Sequence, residues 1–250
     1  MGDMLSQAEI DALLNGTADI NDSDSSEDAD ELTSQEIDAL GEVGNISMGT
    51  SATTLFTLLS HKVKITTPQV MVTTWDELCE KHDSPYVAVR VEYTEGLLGT
   101  NLLIMEEEDV KIITDLMMGG EGKNTDGELT DLHLSAIGEA MNQMVGSSAT
   151  SMSSMFDKKV DISPPKAFVL HFDSDNPYGE FDTSEKIVKV SFKMEVGDLI
   201  DSEIMQIIPV SFAKSLVENL LRADEGSNGN VQEAEQTQQV EQTQQQAPQQ

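Results

Sequence analysis

Apolar residues recur at helical spacing in two long stretches. In the first, Ile37, Leu40, Met48, Ala52, Leu55 and Leu59 are separated by steps of three, four or their multiples, the period of a helix that buries one face. Thr33 and Glu36 form a capping box ahead of them. The pattern predicts a helix from Thr33 to about Leu59. A second long helix is predicted over 130–156. Strand-like runs occupy 62–74, 86–93 and 97–105, and again 160–172, 187–194 and 203–208. A helix over 106–118, stopped by Gly119 and Gly120, closes the first set. Pro209 opens the last helix, through Leu221, from the first-turn position that proline tolerates.

The polar positions repeat as well. Asp38, Glu42, Asn45 and Pro68 recur as Ser135, Glu139, Asn142 and Pro165, each 97 residues later. Gly41 and Gly138, Gly49 and Gly146, and Ala52 and Ala149 share the offset. So do Val63 and Ile65 with Val160 and Ile162. Gly44 breaks it, with Met141 as its counterpart, and 75–85 against 172–186 diverge most. The expected fold is α+β. Two α-β-β-β-α halves, about 32–120 and 129–222, lie around a pseudo-two-fold axis, with long helices on one face of an antiparallel sheet. In each helix the Asp or Ser, Glu and Asn stand at i, i+4 and i+7 and share a polar face. Gly41, Gly44 and Gly49 each cost about 1 kcal/mol against alanine inside a helix. Their retention implies that a neighbouring helix or a partner comes close to the backbone.

Outside this domain the composition changes. Residues 4–16 read as a short helix, capped by Ser6 with Glu9 and stopped at Asn15-Gly16. Leu5, Ile10, Leu13 and Leu14 give it an apolar side. It is too short to be stable alone. Stretch 18–31 holds seven acids and almost no apolar residue, the composition of a disordered linker. The segment 223–250 is Gln-rich, a second linker or tail. The alternative place for the 4–16 helix is on its own domain. With 250 residues and a net charge of −32, the chain lacks the basic footprint that nucleic-acid binding requires. Cys79 is the only cysteine; it is expected to be a packed or half-buried thiol. No apolar run reaches membrane-spanning length and the N-terminus lacks a signal-peptide core. A cytoplasmic protein is expected.

The motif limits the chemistry. His61, His82, His133 and His171 are scattered, with no ligand spacing, so no metal site of its own is expected. No nucleophile–base constellation and no phosphate-cradling glycine loop occur. Asparagine carries a neutral carboxamide with donors and an acceptor. It cannot act as a general base, but it can orient a water for in-line attack on phosphorus. Such a site works if a partner brings the phosphoryl group and its metal.

The signature Asp/Ser-x₃-Glu-x₂-Asn-x₂₂-Pro, at 38–68 and 135–165, resembles that of the CheC/CheX/FliY phosphatases, which dephosphorylate the chemotaxis response regulator CheY. Leu5, Ser6, Gln7, Glu9, Ile10, Asp11, Leu13 and Leu14 resemble the CheY-binding peptide of flagellar switch proteins. The two together are the flagellar-switch combination within the family. The resemblance implies that Asn45 and Asn142 orient the hydrolytic water against the aspartyl phosphate. Glu42 and Glu139 then pair with the regulator's lysine. Asp38 and Ser135 support the helix surface, Pro68 and Pro165 shape the following strand, and the peptide at 1–17 captures CheY. Mg²⁺ is expected from CheY, with no cofactor held by the chain. FliM and FliG are expected as further partners, at the cytoplasmic face of the flagellar basal body. Family members with both features continue into a FliN-like domain. This sequence stops in the Gln-rich stretch where that linker begins, either as part of a longer chain or as a version without the domain. A non-catalytic switch scaffold and a CheC-like adaptation protein that binds the deamidase CheD are the competing readings.

Overall fold

The computed structural model describes residues 31–82, 85–172 and 185–223. The expected 4–16 helix and the Gln-rich stretch beyond 223 lie outside these residues, as does all but the end of the acidic stretch 18–31.

Helix α1 (Ser34–Leu59) begins where its capping box predicts. The Thr33 amide donates to Glu36 Oε2 at 2.8 Å and the Glu36 amide donates to Thr33 Oγ1 at 3.3 Å. After it come β1 (Val63–Ile65), β2 (Gln69–Thr74), α2 (Trp75–Lys81), β3 (Tyr86–Glu95) and β4 (Gly99–Glu106). Then follow α3 (Glu107–Met117), α4 (Asp131–Met155), β5 (Asp161–Ile162), β6 (Lys166–Leu170), β7 (Lys186–Val196) and β8 (Ile200–Pro209). A fifth helix, α5, spans 210–223. Each predicted run at 62–74 and 160–172 is two short strands, interrupted at Pro68 and at Pro164-Pro165. Proline has no amide to give to a ladder, so the pairing breaks there. Residues 75–81 form a helix where the hydrophobic pattern predicts only a connection. Thr74 caps it, accepting from the Glu77 amide at 3.3 Å.

One eight-stranded antiparallel sheet runs β1-β7-β8-β4-β3-β5, with β2 also on β7 and β6 also on β3. Strands β1 and β2 of the first repeat therefore pair with β7 of the second. Strands β5 and β6 of the second pair with β3 of the first. The two exchanges are equivalent in register: Thr73 pairs with Ile187 and Leu170 with Tyr86. Adding 97 to Thr73 gives Leu170, and taking 101 from Ile187 gives Tyr86. The longer second offset places four extra residues in the divergent stretch before β7. At the centre β4 pairs with β8, Leu103 opposite Gln206.

Alternation along each strand assigns the two faces. Val87, Val89, Val91 and Tyr93 of β3 join Val188, Val190, Phe192 and Met194 of β7 under α1, α3, α4 and α5. Tyr86, Ala88, Ile187 and Met205 face the other way, against Trp75 and Leu78 of α2 and Phe172. Four helices thus share one face, as expected, and α2 covers part of the other. Cys79 is half-buried on this smaller side.

Two ionisable groups are buried around α3. Lys111 Nζ pairs with Glu107 at 2.7 Å and donates to the Gly127 carbonyl at 2.7 Å, pinning the α3–α4 connection. Asp109, in the first turn, accepts from Ser202 Oγ at 2.5 Å. Burial nevertheless pushes its carboxyl up from 3.8 to about 6, against the hydrogen bond from Ser202.

Two expectations follow. A chain limited to 32–120 loses the β7 partner of β1 and β2, and lacks a cooperative unfolding transition by circular dichroism; a sharp two-state transition contradicts the exchange. Because the folded Asp109 binds its proton more tightly than the unfolded chain does, its contribution favours folding at low pH and is lost as pH rises from about 4 through about 6. Asp109→Asn should flatten that fall, on the order of 2 kcal/mol, in urea titrations at pH 4 and 7.

Candidate active site

Helices α1 and α4 each turn one face into the core and the other to solvent. On α1, Leu40, Val43, Ser47, Met48, Ser51, Leu55 and Leu59 are buried. Ile37 and Ala52 of the predicted stripe are half-buried, while Val43, Ser47 and Ser51 join it. On α4 the buried set includes Ile137, Ala140, Met141, Met144, Val145 and Ser148. Asp38, Glu42 and Asn45 are exposed on α1, as are Ser135, Glu139 and Asn142 on α4. At 3.6 residues per turn, each trio falls on one line along its helix. The structure brings both predicted trios to the surface as equivalent stripes.

Each proline stands immediately before a strand, Pro68 before β2 and Pro165 before β6, and both are half-buried. Pro165 lines an open groove with Ser135, Gly138, Glu139, Asn142 and Ala167. Pro68 lies against α1 at Gly44. A Cβ there would sit 3.4 Å from Pro68 Cγ and 3.1 Å from Phe192 Cζ, so Gly44 lets β7 and the β1–β2 connection approach the helix. Met141, its counterpart, is fully buried. At Gly41 and Gly49 a Cβ meets nothing within 4 Å. No described helix or strand needs their small size.

The helices are joined where they cross. Ser51 Oγ donates to the Met144 carbonyl at 3.1 Å and Ser151 Oγ to Thr50 Oγ1 at 2.9 Å. Both stripes thereby sit on one rigid pair. The stripes are not identical. Gln143 Nε2 donates to Glu139 Oε1 at 2.8 Å, and Ile46 holds the corresponding place beside Glu42.

The histidines have other work. His133 Nδ1 accepts from the Thr130 amide at 3.0 Å at the start of α4. His61 Nδ1 lies 2.8 Å from the Leu59 carbonyl, and His82 Nδ1 lies 3.1 Å from the Tyr86 hydroxyl. Burial holds His82 below the usual histidine range, with the Lys189 charge adding to the effect. Among the described residues, no three His, Cys, Asp or Glu side chains are grouped to hold a metal ion. Each stripe presents an exposed carboxylate and an exposed carboxamide, a face with both donors and acceptors.

The CheC-like family model matches residues 36–72 and 132–169, the two segments that hold the stripes and their prolines. The crystal structure of Thermotoga maritima FliY is 40% identical, covering 77% of this chain and 98% of that one with a TM-score of 0.72. The chain belongs to the CheC-like family, in its FliY group. The flagellar motor switch phosphatase FliY of Bacillus subtilis is 51% identical over 220 residues, which are 88% of this chain. This chain spans 58% of that relative's length. FliM in the H. pylori FliG–FliM complex shares the fold, at 15% identity and a TM-score of 0.60 over 75% of this chain and all of that one. Within the CheC-like domain, sequence reasoning missed Leu134 and Gly138 as groove-lining residues. Their spacing from Ser135 and Glu139 carried that signal only once α4 was known to lie along β6.

The open glycines allow a stability test. Gly49→Ala and Gly146→Ala should each stabilise the fold by about 1 kcal/mol in urea unfolding, since a Cβ at either position has free space. Gly44→Ala should gain less or lose stability, because Phe192 must shift. Equal gains at all three positions would contradict the packing described.

Proposed function

We propose that this chain is a flagellar motor switch phosphatase that hydrolyses the aspartyl phosphate of the response regulator CheY at two sites, one on α1 and one on α4. The observation that carries this reading is the pair of exposed Glu-x-x-Asn stripes, 97 residues apart, on two helices whose other faces are buried. The motor switch phosphatase named among the relatives supports it.

Asn45 or Asn142 enters the regulator's phosphorylation site. Its carboxamide oxygen accepts a hydrogen bond from water and fixes the water oxygen in line with phosphorus. The new O–P bond forms as the acyl P–O bond breaks. The electron pair stays on the regulator's carboxylate, and the water's proton leaves with inorganic phosphate. Glu42 and Glu139 pair with a lysine of the regulator and fix the docking. This chain's residues would hold no metal; Mg²⁺ bound by CheY would supply charge neutralisation at the phosphoryl group. Asp38, Ser135, Pro68 and Pro165 shape the surface around each Asn. Residues 5–14, outside the described residues, hold CheY near both sites through the acidic stretch and raise its effective concentration. FliM and FliG are the partners proposed at the motor, with the chain at the cytoplasmic face of the basal body. Among the described residues no helix is long and apolar enough to cross a membrane.

The fold shared with FliM favours one other reading, a scaffold that docks CheY without chemistry. Phosphate release from phosphorylated CheY separates the two. The N45A/N142A double variant should lose the acceleration while still binding CheY, and each single variant should keep a substantial part. Full activity in the double variant, or an intact chain that binds CheY and leaves the phosphoryl lifetime unchanged, would establish the scaffold instead.

A further inference from the structure

Both stripes carry exposed apolar residues, but on opposite sides of the asparagine. Ile46 follows Asn45 directly and is 38% exposed, and Phe56 is 49% exposed. Phe56 lies eleven residues beyond Asn45, three helical turns along the same line and about 16 Å away. In the second repeat these places are polar. Gln143 is spent on Glu139, and Ser153 donates to the Ala149 carbonyl at 2.8 Å. The second stripe has its apolar residue before the motif. Leu132, 57% exposed, lies seven residues before Glu139, two turns down the same line. Its counterpart in the first repeat is the exposed Gln35.

Exposed apolar side chains scattered singly are ordinary. Here two of the seven large ones among the described residues, Phe56 and Leu132, fall on the two motif lines and a third, Ile46, flanks Asn45 one turn beyond Glu42; none is matched at the equivalent place in the other repeat. Duplication alone would leave them paired. An apolar residue that gains nothing from its own core, beside a site that a protein must enter, supplies contact area to that protein.

We propose that the two sites take the same phosphorylated response regulator in footprints displaced in opposite directions along their helices. On α1 the footprint runs from Asn45 toward the C-terminal end, over Ile46 and Phe56. On α4 it runs from Asn142 toward the N-terminal end, over Leu132 and the groove beside Pro165. Gln143 holds Glu139 in one pose at the second site, whereas Glu42 at the first stands next to an apolar contact. This inference rests on the reading that both asparagines act on a phosphorylated regulator.

The test uses the intact chain as two single-site versions, N142A reporting α1 and N45A reporting α4. Phosphate release is measured against the concentration of phosphorylated CheY. In the N142A chain, I46Q with F56Q should raise the half-saturating concentration by about fivefold or more, with the maximal rate within about twofold. Ile46→Met, which keeps the apolar contact, should restore most of that loss. In the N45A chain, L132Q should produce the comparable rise. The effect of each set should be several times larger in its own background than in the other. All three positions are exposed, and matched melting temperatures check the fold. Equal effects in both backgrounds, or no change in half-saturation, would overturn the displaced footprints while leaving the two-site reading intact. If neither single-site chain accelerates dephosphorylation, the site assignment fails and the inference with it.

Discussion

The antiparallel ladders that β2 makes with β7 and β6 makes with β3 fix everything else in this molecule. Each repeat sends its first two strands to the other repeat's hairpin. The long helix that precedes those strands must then lie across the junction. Backbone hydrogen bonds, each modest in net worth, act together because a ladder cannot shift by one residue without turning its buried face outward. The exchange seats α1 and α4 on one continuous core, crossing where Ser51 reaches the Met144 carbonyl. Both stripes are therefore carried by helices packed on the same core.

That packing sets which side chains the two helices turn to solvent. A helix held by Leu40, Val43, Met48 and Leu55 on one side presents Glu42 and Asn45 on the other from a backbone that is already ordered. Orientation is what an asparagine contributes when it is neither base nor nucleophile. Side chains on flexible loops would give up that advantage as ordering entropy at each encounter. Among the described residues each stripe offers only a carboxylate, a carboxamide and a third polar side chain, Asp38 or Ser135.

Much of this was legible in the sequence because the two signals are independent of tertiary detail. Helical periodicity with a capping box located α1 to within a residue, and a 97-residue offset repeated at Asp38, Glu42, Asn45 and Pro68 announced the duplication. Three things were not legible. Helix α2 is short and sits in the stretch that differs between repeats, so neither periodicity nor the offset could place it. The strand exchange depends on which edge each strand meets, and local pattern carries no information about that. The place of each glycine is the third. Gly44 does admit Phe192 and Pro68, but Gly41 and Gly49 face open space. Their cost within the helix is the same whatever lies opposite, so composition alone cannot separate the two cases.

The central claim is that both stripes meet one kind of partner through their asparagine carboxamides. Side-chain amide NMR resonances of Asn45 and Asn142, assigned in the intact chain by substitution, report this without any assay of turnover. Adding CheY loaded with a stable phosphoryl mimic should move both pairs of carboxamide signals, while unphosphorylated CheY moves them far less. Binding that leaves both carboxamides in place would contradict the account, whatever other resonances respond.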